Sequence, residues 1–216
     1  MVHMLLHKER QLITEYGKKL IEKGLTKGTG GNISIYNRKE GLIAISPSGI
    51  PYEEIKLKDI VIIDLEENIV EGDHKPSSEK ELHRLLYQKR EDINSIIHTH
   101  PIYSTTIACL NQEIPTVHYL VAYSGDKVPC AKYATFGSKK LAKNVYKAMG
   151  KEYKACLMAN HGLITAGYNI KEALEISTMI EFTAELYYRT KAMGEPKILN
   201  KKQMNQVMNK FDDYRN

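Results

Sequence analysis

Three observations in the 216-residue chain predict a single α/β domain with a mixed, largely antiparallel central sheet and helices on both faces. Apolar stretches of strand length alternate with helical patterns from end to end, without the strict rhythm of a parallel sheet. Two strand pairs, NISIY with LIAIS and KACLM with LITAG, lie close enough in sequence to be hairpins. No linker, repeat or low-complexity run divides residues 1–216.

Residues 4–24 read as a helix, because Leu5, Leu12, Ile13, Tyr16 and Leu20 recur at helical spacing and Gly24 offers a stop. The glycine-rich turn of GTGGNISIY leads into a first strand. GLIAIS and DIVIIDL give two more, with turn residues in PSGIPYEEI between them. Pro76 then closes one element and opens KPSSEKELHRLLYQKR, a helix in which Ser78 and Glu81 have the spacing of a reciprocal N-terminal cap. INSIIH is a strand and PIYSTTIACL the helix behind it. EIPTVHYLV and VPCAKYAT read as strands, and GSKKLAKNVYKAM as a helix. KACLMAN and GLITAG are strands on either side of Asn160-His161-Gly162. A long helix covers about Ile170 to Met193, and a short one at about 200–211 follows.

Composition narrows the partners. Hydrophobic residues at 42% and charged residues at 26% are an ordinary globular balance. The net charge is +5, but acids interleave with bases in EENIVEGDHK and SSEKELHRLLYQKRED. A nucleic-acid arm needs clustered like charge, and no apolar run approaches the roughly 20 residues of a membrane span. Neither nucleic acid nor membrane is an expected partner, whereas mild basicity suits an anionic small substrate. Cys109, Cys130 and Cys156 are sparse and odd in number. MVHMLLHKERQ turns charged too soon for a secretory leader, so reduced thiols and the cytoplasm are expected.

The chemistry concentrates in INSIIHTHPIYSTT, where a strand ends at His98-Thr99-His100 and a proline. Side chains alternate along a strand, so both imidazoles project to one side and could reach a single ion. Imidazole suits Zn²⁺, with Fe, Co and Mn as alternatives. Taken alone, an H-x-H at a strand end is more often two polar residues at a surface than a metal site. His161, in MANHGL, is a third candidate ligand or a turn histidine. Glu79, in PSSE, either completes a set of three histidines and one carboxylate or is an acid favoured by the helix dipole. Spacing alone does not bring the four together. GTGGNIS, SPSGIP and PSSE are small-residue loops suited to an anion, although turn formation and capping explain the same residues. Neither the P-loop nor the dinucleotide-binding glycine pattern is present.

Taken in order, GTGGNIS, SPSGIPYEEI, KPSSEKELH, IIHTHP, IPTVHYLVA, YATFGS and MANHGLIT resemble the class II aldolase family of sugar-phosphate aldolases and epimerases. The resemblance runs from about residue 8 over essentially the whole chain. It implies one Zn²⁺ per subunit held by His98, His100 and His161, with Glu79 as a ligand that can leave the metal and carry a proton. It implies a phosphate pocket of Asn32, Ser48, Gly49, Ser77 and Ser78, assisted by the backbone of Gly31. Tyr119 matches a tyrosine that acts on the aldehyde oxygen. Tyr214 matches a C-terminal tyrosine that reaches a neighbouring subunit's site in a homotetramer. The implied reaction cleaves a 1-phosphoketose, expected to be L-fuculose 1-phosphate, to dihydroxyacetone phosphate and L-lactaldehyde. A ribulose-phosphate 4-epimerase is the alternative within the family.

Two other classes fit less well. Cupins also pair histidines as H-x-H, but a glutamate follows theirs closely, whereas here the next acid after His100 is Glu113. A non-catalytic scaffold of the same fold should have lost ligands that are all present here. His83 and His118 are expected to pack behind the site rather than ligate, and Cys109 and Cys156 to lie in the core.

Overall fold

Strand alternation builds the molecule. The computed structural model describes residues 4–215, with side chains as far as residue 211. Its strands are β1 (Asn32–Asn37), β2 (Leu42–Ile45), β3 (Val61–Ile63), β4 (Ile69–Glu71), β5 (Ser95–Thr99), β6 (Cys130–Ala131), β7 (Ala155–Met158) and β8 (Gly162–Gly167). The helices are α1 (His7–Glu22), α2 (Lys80–Lys89), α3 (Ile102–Cys109), α4 (Lys139–Met149), α5 (Ile170–Met193) and α6 (Lys201–Arg215). The strands form one sheet in the order β4-β3-β2-β1-β5-β8-β7-β6. Neighbours are antiparallel except β6 and β7, so the sheet is mixed and largely antiparallel, and both expected hairpins are present.

Alternation sends successive side chains to opposite faces. Ile43, Ile45, Val61, Ile63 and Ile96 meet Leu82 and Leu86 of α2 and Leu141 and Val145 of α4. On the other face, Ile33, Ala44, Ile62 and Ile97 meet Ile13 and Leu20 of α1 and Leu174 of α5. Farther along that face, Leu157 and Leu163 pack with Ile107 of α3, Ile180 of α5 and Met204 of α6. Each fully buried isoleucine or leucine contributes roughly 1.5–3 kcal/mol, so these layers hold the strands whose ends carry the histidines.

Four expectations are corrected. EIPTVHYLV and VPCAKYAT are not two full strands: Ile114 and Val128 form an isolated bridge, Tyr119–Tyr123 is a 3₁₀ turn, and β6 has two residues. Their apolar residues enter the core singly at Ile114, Val121 and Val128, a pattern that imitates a strand. The short edge strand β4 escaped the pattern because Ile69 and Val70 are exposed. At α2, Glu79 is the N-cap residue and no side chain caps it. Glu81 instead binds Arg84 at 2.8 Å, because the preceding segment is drawn onto β2 by Ser77 N–H donating to Ser46 O. Cys109 is exposed at the end of α3, while Cys156 is buried as expected.

Candidate active site and metal centre

Each histidine is placed by the end of a strand. β5 runs between β1 and β8, and His98 is its penultimate residue, fully buried. His100 follows on the same side, its ring centroid 4.6 Å from that of His98. The tight β7–β8 turn supplies His161, whose ring lies 4.7 Å from His98. Gly162 makes this approach possible, since a Cβ there would collide with the Thr99 carbonyl and crowd the His98 and His100 rings. Gly31, in a left-handed conformation (φ 76°), does the same for β1, because a side chain would strike the His98 carbonyl.

The three imidazoles present ligand atoms within 4.8 Å of one another. His98 Nδ1–H donates to Leu163 O at 2.9 Å, which leaves Nε2 as a bare lone pair. That nitrogen stands 3.2 Å from Glu79 Oε2, and Glu79 Oε1 stands 3.7 Å from His161 Nε2. Neither His98 Nε2 nor Glu79 Oε1 has a hydrogen-bond partner, and both are buried. Two facing lone pairs repel unless a proton or a cation lies between them. Burial and the neighbouring His100 and His161 rings hold the His98 pKa well below the usual imidazole range, so a proton is not the remedy. Burial lowers His100 as well, followed by the effect of His161. Neutral imidazole is the ligand form, and the donor set fits a divalent cation.

Glu79, His100 and His161 line a cavity of about 300 Å³. Gly31, Asn32, Ser48, Gly49, Ser77 and Ser78 line the same cavity. No lysine or arginine lines it among the described residues, so an anion there would meet hydroxyls, amides and the uncapped N-terminus of α2. Asn32 is more committed than the sequence suggests: its Nδ2 donates to Glu79 Oε2 at 3.0 Å and its Oδ1 faces His83. Thr29, Pro47 and Phe136 also line the cavity and were not singled out from the sequence. Phe136 is delivered by Gly137 (φ 71°), where any Cβ would meet Ser78 O at 2.7 Å; the glycine in YATFGS was the available signal.

Tyr119 is elsewhere. It lies 47% exposed outside the cavity, its ring 4.5 Å from His118 and 6.3 Å from Phe211. Tyr214 falls in α6, and its side chain lies outside the described residues. The segment after His100 is tied down from α5. Half-buried Glu181 accepts the backbone N–H of Tyr103 and of Ser104 at 2.8 Å each, and the Ser104 hydroxyl at 2.7 Å.

The fold is an antiparallel-dominated α/β sheet with three histidines at strand ends, able to hold a metal, and a glutamate at the N-terminus of α2 beside them; residues 11–188 match the Class II Aldolase and Adducin N-terminal domain family. The chain belongs to that family. It is 53% identical over 211 residues to the 5-deoxy-D-ribulose 1-phosphate aldolase of Bacillus thuringiensis, covering 98% of this chain and 99% of the relative. It is 41% identical over 211 residues to the L-fuculose phosphate aldolase of Haemophilus influenzae, with 94% of each covered. Among solved structures, an L-fuculose 1-phosphate aldolase superposes with a TM-score of 0.94 at 45% identity, over 98% of this chain and 100% of that one. The chain is a class II aldolase. No described helix is long and apolar enough to cross a membrane.

Proposed function

We propose that the protein cleaves a 1-phosphoketose between C3 and C4 to dihydroxyacetone phosphate and a short aldehyde, with Zn²⁺ as its metal. The carrying observation is the pair of opposed, buried lone pairs on His98 and Glu79 beside a cavity that hydroxyls and glycines also line. His98, His100 and His161 would hold the ion, with Glu79 as fourth ligand. A cation so held supplies Lewis acidity for the negative charge that develops beside the ketone when the carbon–carbon bond breaks.

The chain's own residues do the rest. Ser48, Gly49, Ser77 and Ser78, with the Gly31 and Asn32 backbone, receive the phosphate, and that binding orients the reacting carbons. Glu79, one oxygen held by Asn32 and the other buried without a hydrogen-bond partner, carries the proton to and from C3. Tyr119, exposed on one chain, handles the proton of the aldehyde oxygen together with Tyr214 once copies assemble as a cytoplasmic homotetramer.

The substrate we favour is 5-deoxy-D-ribulose 1-phosphate, because the relative at 53% identity bears that activity. L-fuculose 1-phosphate is the second reading, favoured by the solved structure at 45% identity. Both share the dihydroxyacetone phosphate half and differ in the aldehyde, acetaldehyde against L-lactaldehyde. Incubating the zinc-loaded enzyme with each ketose phosphate and identifying the aldehyde, before and after chelation, decides between them. Cleavage of neither, or cleavage unaffected by complete metal removal, would refute the proposal; interconversion of pentulose 5-phosphates without fragments would make it an epimerase.

A further inference from the structure

A chain of hydrogen bonds runs from Glu79 into the core between α2 and the sheet. Glu79 Oε2 accepts from Asn32 Nδ2 at 3.0 Å, and Asn32 Oδ1 lies 2.5 Å from His83 Nε2. His83 Nδ1 lies 2.6 Å from Ser34 Oγ, which lies 2.7 Å from Tyr87 OH. Tyr87 OH also donates to Ser34 O at 3.0 Å. Asn32, Ser34, His83 and Tyr87 are all buried, His83 completely, so water does not share in these bonds.

The chemistry of the partners sets the direction of every bond. A carboxylate only accepts, so Asn32 must present its NH₂ to Glu79 and its carbonyl to His83. The carbonyl also only accepts, so His83 carries its proton on Nε2. Burial pushes the His83 pKa down to about 3, so Nδ1 has no second proton and accepts from Ser34 Oγ–H. The single Tyr87 hydroxyl proton is then shared between Ser34 Oγ, at 2.7 Å, and Ser34 O, at 3.0 Å. No member can rotate without leaving a buried polar atom without a partner, at roughly 1–3 kcal/mol each.

We propose that His83 is a positioning residue for the aldolase reaction: its Nε2–H, aligned by Ser34 and Tyr87, locks the Asn32 amide so that Glu79 presents one defined oxygen to the metal and the substrate. The arrangement explains why Oε2 is held while Oε1, buried, has no hydrogen-bond partner. It also explains a histidine buried on α2 beside Leu82, Leu86 and Tyr87, which pack into the core. The inference rests on the aldolase reading above.

The test uses two variants and one measurement on the unaltered protein. His83→Phe fills the space but removes the donor, whereas His83→Gln places an amide N–H at the reach of Nε2. In His83→Phe, kcat for 1-phosphoketose cleavage should fall about 10–100-fold and the metal-free protein should bind Co²⁺ about 10-fold more weakly, by visible absorbance. KM should stay essentially constant, and His83→Gln should recover most of both losses. Equal behaviour of the two variants, or a change in KM with kcat preserved, would overturn the proposal. Nitrogen-15 NMR of histidine-labelled, metal-free protein should show His83 protonated on Nε2 alone between pH 5 and 8; an Nδ1–H tautomer refutes the relay even if neither variant folds. If the unaltered enzyme cleaves no 1-phosphoketose, the aldolase reading fails by itself, and tautomer and cobalt affinity still judge the relay.

Discussion

The histidine cluster beside the cavity and the aromatic flank around Tyr119 are built by opposite means. At the first, β5 and β8 fix fully buried His98, Glu79 is 5% exposed, and the hydrogen-bond direction is set back to Tyr87 in the core. At the second, a 3₁₀ turn carries Tyr119 on the surface, where ring contacts with His118 and Phe211 are its neighbours, and Phe182 and Tyr188 of α5 are exposed as well. A site that polarises a carbonyl needs groups held before the substrate arrives. The flank around Tyr119 is not held in this way within one chain. Under the proposed function, one subunit completes the half that breaks the bond, and a second copy completes the half that receives the aldehyde.

The largest test of this contrast is His98→Ala, which removes an imidazole no other described group replaces. It should abolish metal retention and lower kcat by roughly 1,000-fold or more, measured by metal analysis beside the cleavage assay; retained metal and activity would show that the buried end is not the centre. Next comes Glu79→Gln, which keeps the shape and the Asn32 contact while removing the proton acceptor. Its kcat should fall about 100–10,000-fold, with folding midpoint nearly unchanged. Tyr119→Phe should cost roughly 100-fold in kcat and leave metal content intact. Mixing Glu79→Gln and Tyr119→Phe copies after reversible dissociation sharpens the comparison. Activity should reappear if the two residues serve one site from different subunits, and should stay absent if both act within one chain.

The smallest effect concerns pH. His83 is held neutral, its pKa near 3 against 6.5 for the free side chain. The unfolded chain therefore binds the extra proton, so this contribution to stability is complete above pH 6.5 and is lost as the pH falls toward 3. His98, also lowered, acts in the same sense. The metal-free protein should lose roughly 1.4 kcal/mol per pH unit for each such histidine below pH 6, read from denaturant midpoints. His83→Phe should reduce that slope by one histidine's share. A midpoint that does not move between pH 7 and 5 would contradict the burial argument.

Most of the sheet was legible because Ile43, Ile45, Val61 and Ile63 alternate or run together as strands must. His98 and His100 were legible as a pair for the same reason, since strand alternation puts them on one side. What spacing could not give was convergence: His161 arrives through a turn whose tightness depends on the absence of a Cβ at Gly162. The cap at Ser78 was misread because the capping pattern is local, while the pull of Ser46 on Ser77 is not. Residues 113–121 and most of 128–135 were misread because single apolar insertions and strand alternation look alike in sequence. Asn32 was legible as a pocket residue but not as a donor to Glu79, since its partners lie 47 and 51 positions away.

Glu181 gives the long helix α5 a mechanical role. On its inner side the carboxylate grips the backbone three and four residues beyond His100. The very next residue, Phe182, faces outward into solvent. The helix thus anchors the stretch of chain that leaves His100 on one side and borders the open flank with the other.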